Sequence, residues 1–149
     1  MNKSHSLESS SLESSSPYRI LVVEDDLLIR QLNEEWLTGE GYRVDVVPDG
    51  EAGLEALQLH AYDLVITDNS MPKMTGLELI TKLHSTGLSL PVILASGGLA
   101  HKELKWSQEL QPAAIVAKPY SKLLLLNVVS GVLHTSDRAR SDVSKTKSE

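Results

Sequence analysis

Four polar features separated by long stretches of chain have the side-chain types needed to hold a hard cation and move a phosphoryl group. They are Glu24-Asp25-Asp26, Asp68, Ser96 and Lys118. If Glu24, Asp25 and Asp68 meet in the fold, they repel one another and raise each other's pKa values unless a cation sits among them. Oxygen ligands without His or Cys select a hard ion, most naturally Mg²⁺, which keeps several waters and leaves room for a phosphoryl oxygen. Asp68 is then suited to act as a nucleophile towards phosphorus, with Lys118 and the cation offsetting charge on the equatorial oxygens. Ser96 offers a hydroxyl to a phosphoryl oxygen. Backbone N–H groups after Asp68, at Asn69, and around Gly97 offer further donors.

For this chemistry the four features must converge, and the hydrophobic pattern says how. Leu64 to Thr67 is an apolar run that reads as a strand buried on both faces, and it delivers Asp68 at its C-terminal end. Similar runs occur at Arg19–Val23, Tyr42–Val47, Pro91–Ala95 and Ala113–Ala117. Between and after them, helical spacing predicts helices over Asp26–Thr38, Glu51–Leu59, Leu77–Ser85, Leu99–Leu110 and Ser121–Leu133. Strands alternating with helices predict an α/β fold, a doubly wound five-stranded parallel sheet of the flavodoxin-like kind, because parallel neighbours need crossover connections. Each polar feature ends or follows a strand, so all four fall on one edge of that sheet.

The chain has 149 residues, 41% of them hydrophobic, which suits one compact domain with tails. The absence of cysteine excludes disulfides, thiolate metal sites and Cys nucleophiles. A formal charge of -6 argues against direct nucleic-acid binding, which needs a basic face. No apolar stretch approaches the roughly 20 residues that span a bilayer, and the N-terminus has no signal core, so a cytoplasmic protein without membrane contact is expected. Residues 1–17 repeat Ser-Leu-Glu-Ser-Ser and are too polar to form a core; they are expected to be a disordered tail, as is the polar stretch 134–149. The folded domain is then 18–133. None of the histidines lies in a motif for a phosphodonor.

The motifs resemble the receiver domain of two-component response regulators, the CheY-like family. The resemblance rests on Val22-Val23-Glu24-Asp25-Asp26, the run from Asp68 to Gly76, Ser96-Gly97 and Lys118-Pro119-Tyr120. It implies the strand order 2-1-3-4-5, Asp68 as phosphoacceptor, and Mg²⁺ held by Asp25, by Glu24 through water, by Asp68 and by the Ser70 carbonyl. Ser96 and Lys118, with Asn69 and Gly97, would bind the phosphoryl group. It further implies a phosphohistidine donor on a sensor histidine kinase or histidine phosphotransfer protein, with no enzymatic activity beyond self-phosphorylation and self-dephosphorylation.

Two features depart from the family pattern. Receivers usually carry Tyr or Phe three residues before the lysine, where this chain has Ile115, so the aromatic form of the switch is in question. Pro48 and Gln111-Pro112 replace residues more common in the family. A pseudo-receiver that binds without phosphorylation is the alternative that Ile115 favours. A haloacid dehalogenase-like phosphatase would need Asp at position 70, which is Ser, and a flavin-binding flavodoxin would not place Glu24-Asp25-Asp26 in its phosphate loop. Nothing after Leu133 is long enough for an output domain, so a stand-alone receiver signalling through an unknown downstream protein is expected. In the last predicted helix, Leu123 to Leu126 cover most of the circumference at about 100° per residue. Leu125, Val129 and Val132 suffice for the core, leaving Leu123, Leu124 or Leu126, with Ile115, as an apolar surface for a partner or a homodimer.

Overall fold

The computed structural model describes residues 17–148, with side chains as far as Asp137. Most of the Ser-rich N-terminal tail, residues 1–16, lies outside the described residues. Strands β1 (Arg19–Val23), β2 (Arg43–Val47), β3 (Leu64–Asp68), β4 (Val92–Ser96) and β5 (Ala114–Ala117) alternate with helices α1 (Leu27–Gly39), α2 (Gly50–Leu59), α3 (Gly76–Ser85), α4 (His101–Leu110) and α5 (Lys122–Ser148). All pairings are parallel and the sheet order is β2-β1-β3-β4-β5, as the sequence pattern and the resemblance predict.

Strand residues divide by alternation. Leu21, Val23, Val65, Val92 and Leu94 face one side, where Leu57 of α2 and Leu77, Ile80 and Leu83 of α3 close the core. Ile20, Val22, Leu64, Ile66, Ile93 and Val116 face the other, against Leu37 of α1 and Leu125, Val129 and Leu133 of α5. The predicted double burial of β3 holds along its whole length. Trp36 and Trp106 are both half-buried, packed against opposite cores.

Polar side chains start the helices. The Asp26 carboxylate accepts from Ile29 N at 3.0 Å, and Asp49 accepts from Ala52 N at 2.8 Å, so each caps an N-terminus. Thr75 and Glu78 form a reciprocal capping box that opens α3. In contrast, α4 starts at Ala100 with no side-chain cap from that residue, and Ser107 is its only fully buried residue.

The last helix differs from expectation. It continues through residues 134–148, which composition alone assigned to a disordered tail. After Gly131 the sequence holds no glycine or proline to stop it. The Tyr18 hydroxyl donates to the Asp137 carboxylate on this extension, joining it to the start of β1. Leu133 is buried in place of Val132, which is half-buried, and Leu126 packs against the core rather than standing free. Leu123 and Leu124 remain outward at 69% and 44% exposure.

These positions separate the four leucines by energy. Leu125→Ala is expected to lower unfolding stability in urea by about 2–5 kcal/mol, the usual range for a buried leucine. Leu123→Ala is expected to change it by no more than about 0.5 kcal/mol.

Candidate functional site

The strand order brings the acidic residues together. The chain goes from β1 outward to β2 and returns on the other side of β1 as β3, so the connections part between β1 and β3. Ligand sites of open α/β sheets lie at such points, beyond the strands' C-terminal ends. Val23 is registered with Thr67, so Glu24 and Asp68 come next on adjacent strands. Asp68 is registered with Ala95, and Ser96 with Ala117. Ser96 and Lys118 therefore follow at the same edge.

Glu24, Asp25 and Asp68 each present a carboxylate oxygen within 4.8 Å of the others. Glu24 and Asp68 are buried, whereas Asp25 is exposed at the rim. Lys118 bridges the buried pair, with Nζ 3.0 Å from Asp68 Oδ1 and 3.3 Å from Glu24 Oε1. Further bonds fix Glu24: its carboxylate accepts from Asp26 N at 3.1 Å and its carbonyl from Arg30 Nη1 at 2.9 Å. Lys118 N donates to Ser96 O at 2.8 Å, holding the lysine's backbone against β4.

The ionisation pattern follows from burial. Burial pushes the Asp68 carboxyl above its ordinary value; Lys118 opposes this, and the Asp25 charge adds to it. Burial likewise raises Glu24, with the Asp68 charge adding. Burial would lower the Lys118 pKa, but its bond to Asp68 and the charges of Glu24 and Asp68 outweigh that and raise it. The site thus gathers more negative charge than one ammonium offsets. An all-oxygen donor set with unbalanced buried charge fits a hard divalent cation, and Glu24, Asp25 and Asp68 are the side chains that would hold Mg²⁺.

The remaining expected site residues divide. Ser96 is buried, and its hydroxyl oxygen accepts from Gly98 N at 3.0 Å; Gly97 lies exposed beside it. Asn69 does not serve the site as expected. Its backbone N–H donates to Ala95 O at 2.8 Å, its Oδ1 accepts from Leu77 N at 3.1 Å, and its Nδ2 donates to Glu103 Oε2 at 3.3 Å. These bonds direct its polar groups to β4, α3 and α4. Ser70 lies exposed just beyond Asn69.

Two residues of the quoted motifs contribute in ways the motifs alone did not specify. A Cβ on Gly76 would stand 2.6 Å from Asp68 O and 2.7 Å from Leu94 Cδ1, so only glycine lets α3 start this close to the end of β3. The Tyr120 hydroxyl donates to Asn33 Oδ1 at 3.0 Å, tying the segment after Lys118 to α1. The motif placed Tyr120 beside Lys118, but its partner was signalled only by a polar Asn within the apolar pattern of α1.

Residues 20–130 match the family model described as the response regulator receiver domain. The chain belongs to this family. It is 31% identical over 103 residues to the transcriptional regulatory protein RprY of Bacteroides fragilis, covering 69% of this chain and 44% of that protein. It is 40% identical over 76 residues to the two-component response regulator PhoP of Pseudomonas aeruginosa, covering 51% and 34% respectively. The matched regions thus span less than half the length of either relative. Among solved structures, a CheY-like receiver domain protein from Methanospirillum hungatei superposes with a TM-score of 0.79 at 27% identity, over 83% of this chain and 99% of that one. The CheY4 chemotaxis protein of Vibrio cholerae shares the fold with a TM-score of 0.74 at 24% identity, covering 78% and 99%. Receiver domains typically use Mg²⁺, in keeping with the acidic cluster. Among the described residues, no helix is long and apolar enough to cross a membrane.

Raised carboxyl pKa values have a stability consequence with a definite sign. The folded state retains protons that the unfolded chain has released, so this contribution is complete below the ordinary carboxylate range. It is lost as pH rises through the raised folded values. At pH 7 without metal, Asp68→Asn is therefore expected to melt at or above the wild-type temperature. Added Mg²⁺ is expected to raise the wild-type melting temperature more than that of the variant, as thermal unfolding will show.

Proposed function

We propose that this receiver accepts a phosphoryl group on Asp68 from a phosphohistidine of a sensor histidine kinase or histidine phosphotransfer protein. An Asp68 carboxylate oxygen attacks phosphorus, the new P–O bond forms as the P–N bond breaks, and the imidazole nitrogen keeps the bonding electron pair. When bound, Mg²⁺ supplies positive charge to the phosphoryl oxygens. Lys118 holds and orients the nucleophilic carboxylate, then follows the transferred group with its ammonium. Asp25 and Glu24 carry the cation side of the site, with the Ser70 carbonyl. The Ser96 hydroxyl and the Gly97 N–H face the phosphoryl oxygens from β4. Loss of the group by hydrolysis at the same site is the only other chemistry in this reading, and its setting is the cytoplasm. The observation that carries the reading is the meeting of Asp68, Glu24 and Asp25 with Lys118 at the sheet's switch point.

Output is proposed to pass through protein contacts on the surface formed by Ile115, Leu123 and Leu124, either with a downstream protein or with a second copy. Ile115 is 47% exposed, which supports its place there. Leu126 is left out because it packs inward.

Incubation with Mg²⁺ and acetyl phosphate is expected to add the mass of one phosphoryl group to the wild-type chain and none to Asp68→Asn. Equal labelling of the two would sink the assignment, and Mg²⁺ binding without any labelling would favour a phosphorylation-independent binding module. Leu123→Lys and Leu124→Lys are expected to label like wild type but to weaken self-association or partner binding in sedimentation or pull-down measurements.

A further inference from the structure

We propose that Tyr120 and Asn33 form a positioning pair for Lys118, so that the Tyr120 hydroxyl governs how well the lysine ammonium follows the phosphoryl group. This rests on the phosphoacceptor reading above.

The argument begins with how weakly the lysine's own strand is held. β5 has four residues, lies at the edge of the sheet and pairs only with β4. Lys118 immediately follows it, and Pro119 offers no N–H for further pairing. Beyond the Lys118 N bond to Ser96 O, the lysine is held by Nζ bonds to Asp68 and Glu24. Those carboxylates are the groups engaged by the cation and the incoming phosphoryl group. As Asp68 becomes acylphosphate, the ammonium must exchange its carboxylate contacts for phosphoryl oxygens, and bonds that held it in the resting state no longer hold it.

The bond from Tyr120 to Asn33 is independent of that exchange. It is 3.0 Å long and joins two groups without formal charge. Asn33 is 1% exposed, and the Tyr120 ring packs into the core shared by α1 and α5. α1 follows directly from Glu24-Asp25-Asp26, so the bond anchors the lysine segment to the element that begins at the acidic pair. Ring packing alone would place Tyr120; only the hydroxyl fixes its tip to α1.

Tyr120→Phe keeps the ring and removes the bond. With Mg²⁺ and acetyl phosphate, its rate of Asp68 modification is expected to fall about three- to tenfold, as follows from a single hydrogen bond acting on the barrier. Mg²⁺ affinity, read by tryptophan fluorescence, is expected to stay unchanged. Tyr120→Phe combined with Asn33→Leu replaces both polar partners by apolar ones and is expected to restore the melting temperature but not the rate. In a Lys118→Ala background, Tyr120→Phe is expected to have no further effect on the residual rate. The inference is overturned if Tyr120→Phe labels at the wild-type rate, if the double variant regains rate along with stability, or if the effect persists without Lys118. Failure of the wild-type chain to label, or labelling of Asp68→Asn, would instead overturn the phosphoacceptor reading, and this inference with it.

Discussion

Everything at the functional edge of this molecule depends on keeping two carboxylates, Glu24 and Asp68, out of water and next to each other. Desolvation disfavours both charges, and their mutual repulsion adds to it. The fold answers with one ammonium placed between them and with a hydrogen bond from the Asp26 backbone N–H to Glu24. That answer is incomplete, since a third carboxylate, Asp25, stands at the rim. The residual negative potential gives a site that suits a divalent cation. The electrostatic strain of the resting state and the site's affinity for its proposed ligands have the same source.

Topology makes that arrangement possible at modest structural complexity. The acidic pair and Asp68 belong to strands far apart in sequence, yet the outward-and-back winding makes β1 and β3 neighbours. The same register carries Ser96 and Lys118 to the edge one strand at a time. Close approach then has its own demand. Gly76 has no room for a methyl group beneath the Asp68 carbonyl, so the helix that supports the loop after Asp68 can begin where it does only with glycine.

Much of this was legible in the residues. Continuous apolar runs marked β1, β3 and β4 as buried central strands, and polar residues at strand ends marked where Glu24, Asp25, Asp68 and Lys118 meet, because burial and strand polarity are encoded locally. What was missed depends on three-dimensional neighbours. Asn69 looked like a phosphoryl ligand by adjacency to Asp68, yet its polar groups are used by Ala95, Leu77 and Glu103. Leu126 and Leu133 could not be sorted from Leu124 and Val132 by composition, since four consecutive leucines leave the rotation of the helix unspecified. The continuation of α5 through residues 134–148 was obscured because a polar sequence without an apolar stripe gives no periodic signal, even where no helix breaker interrupts it.

Asn69 also links elements that would otherwise be mechanically separate. It is covalently next to Asp68, its side chain holds the first turn of α3 through Leu77, and its amide reaches Glu103 in the first turn of α4. Glu103 in turn accepts from Ala100 N at that helix's start. Besides this bond, α4 is seated by Trp106 and Leu110, which pack half-buried against the core, and by the fully buried Ser107, with glycines at 97 and 98 preceding the helix. A backbone displacement at the end of β3 must therefore either drag the origin of α4 with it or break the Asn69–Glu103 bond. Asn69 thus ties the end of β3 to the starts of both α3 and α4.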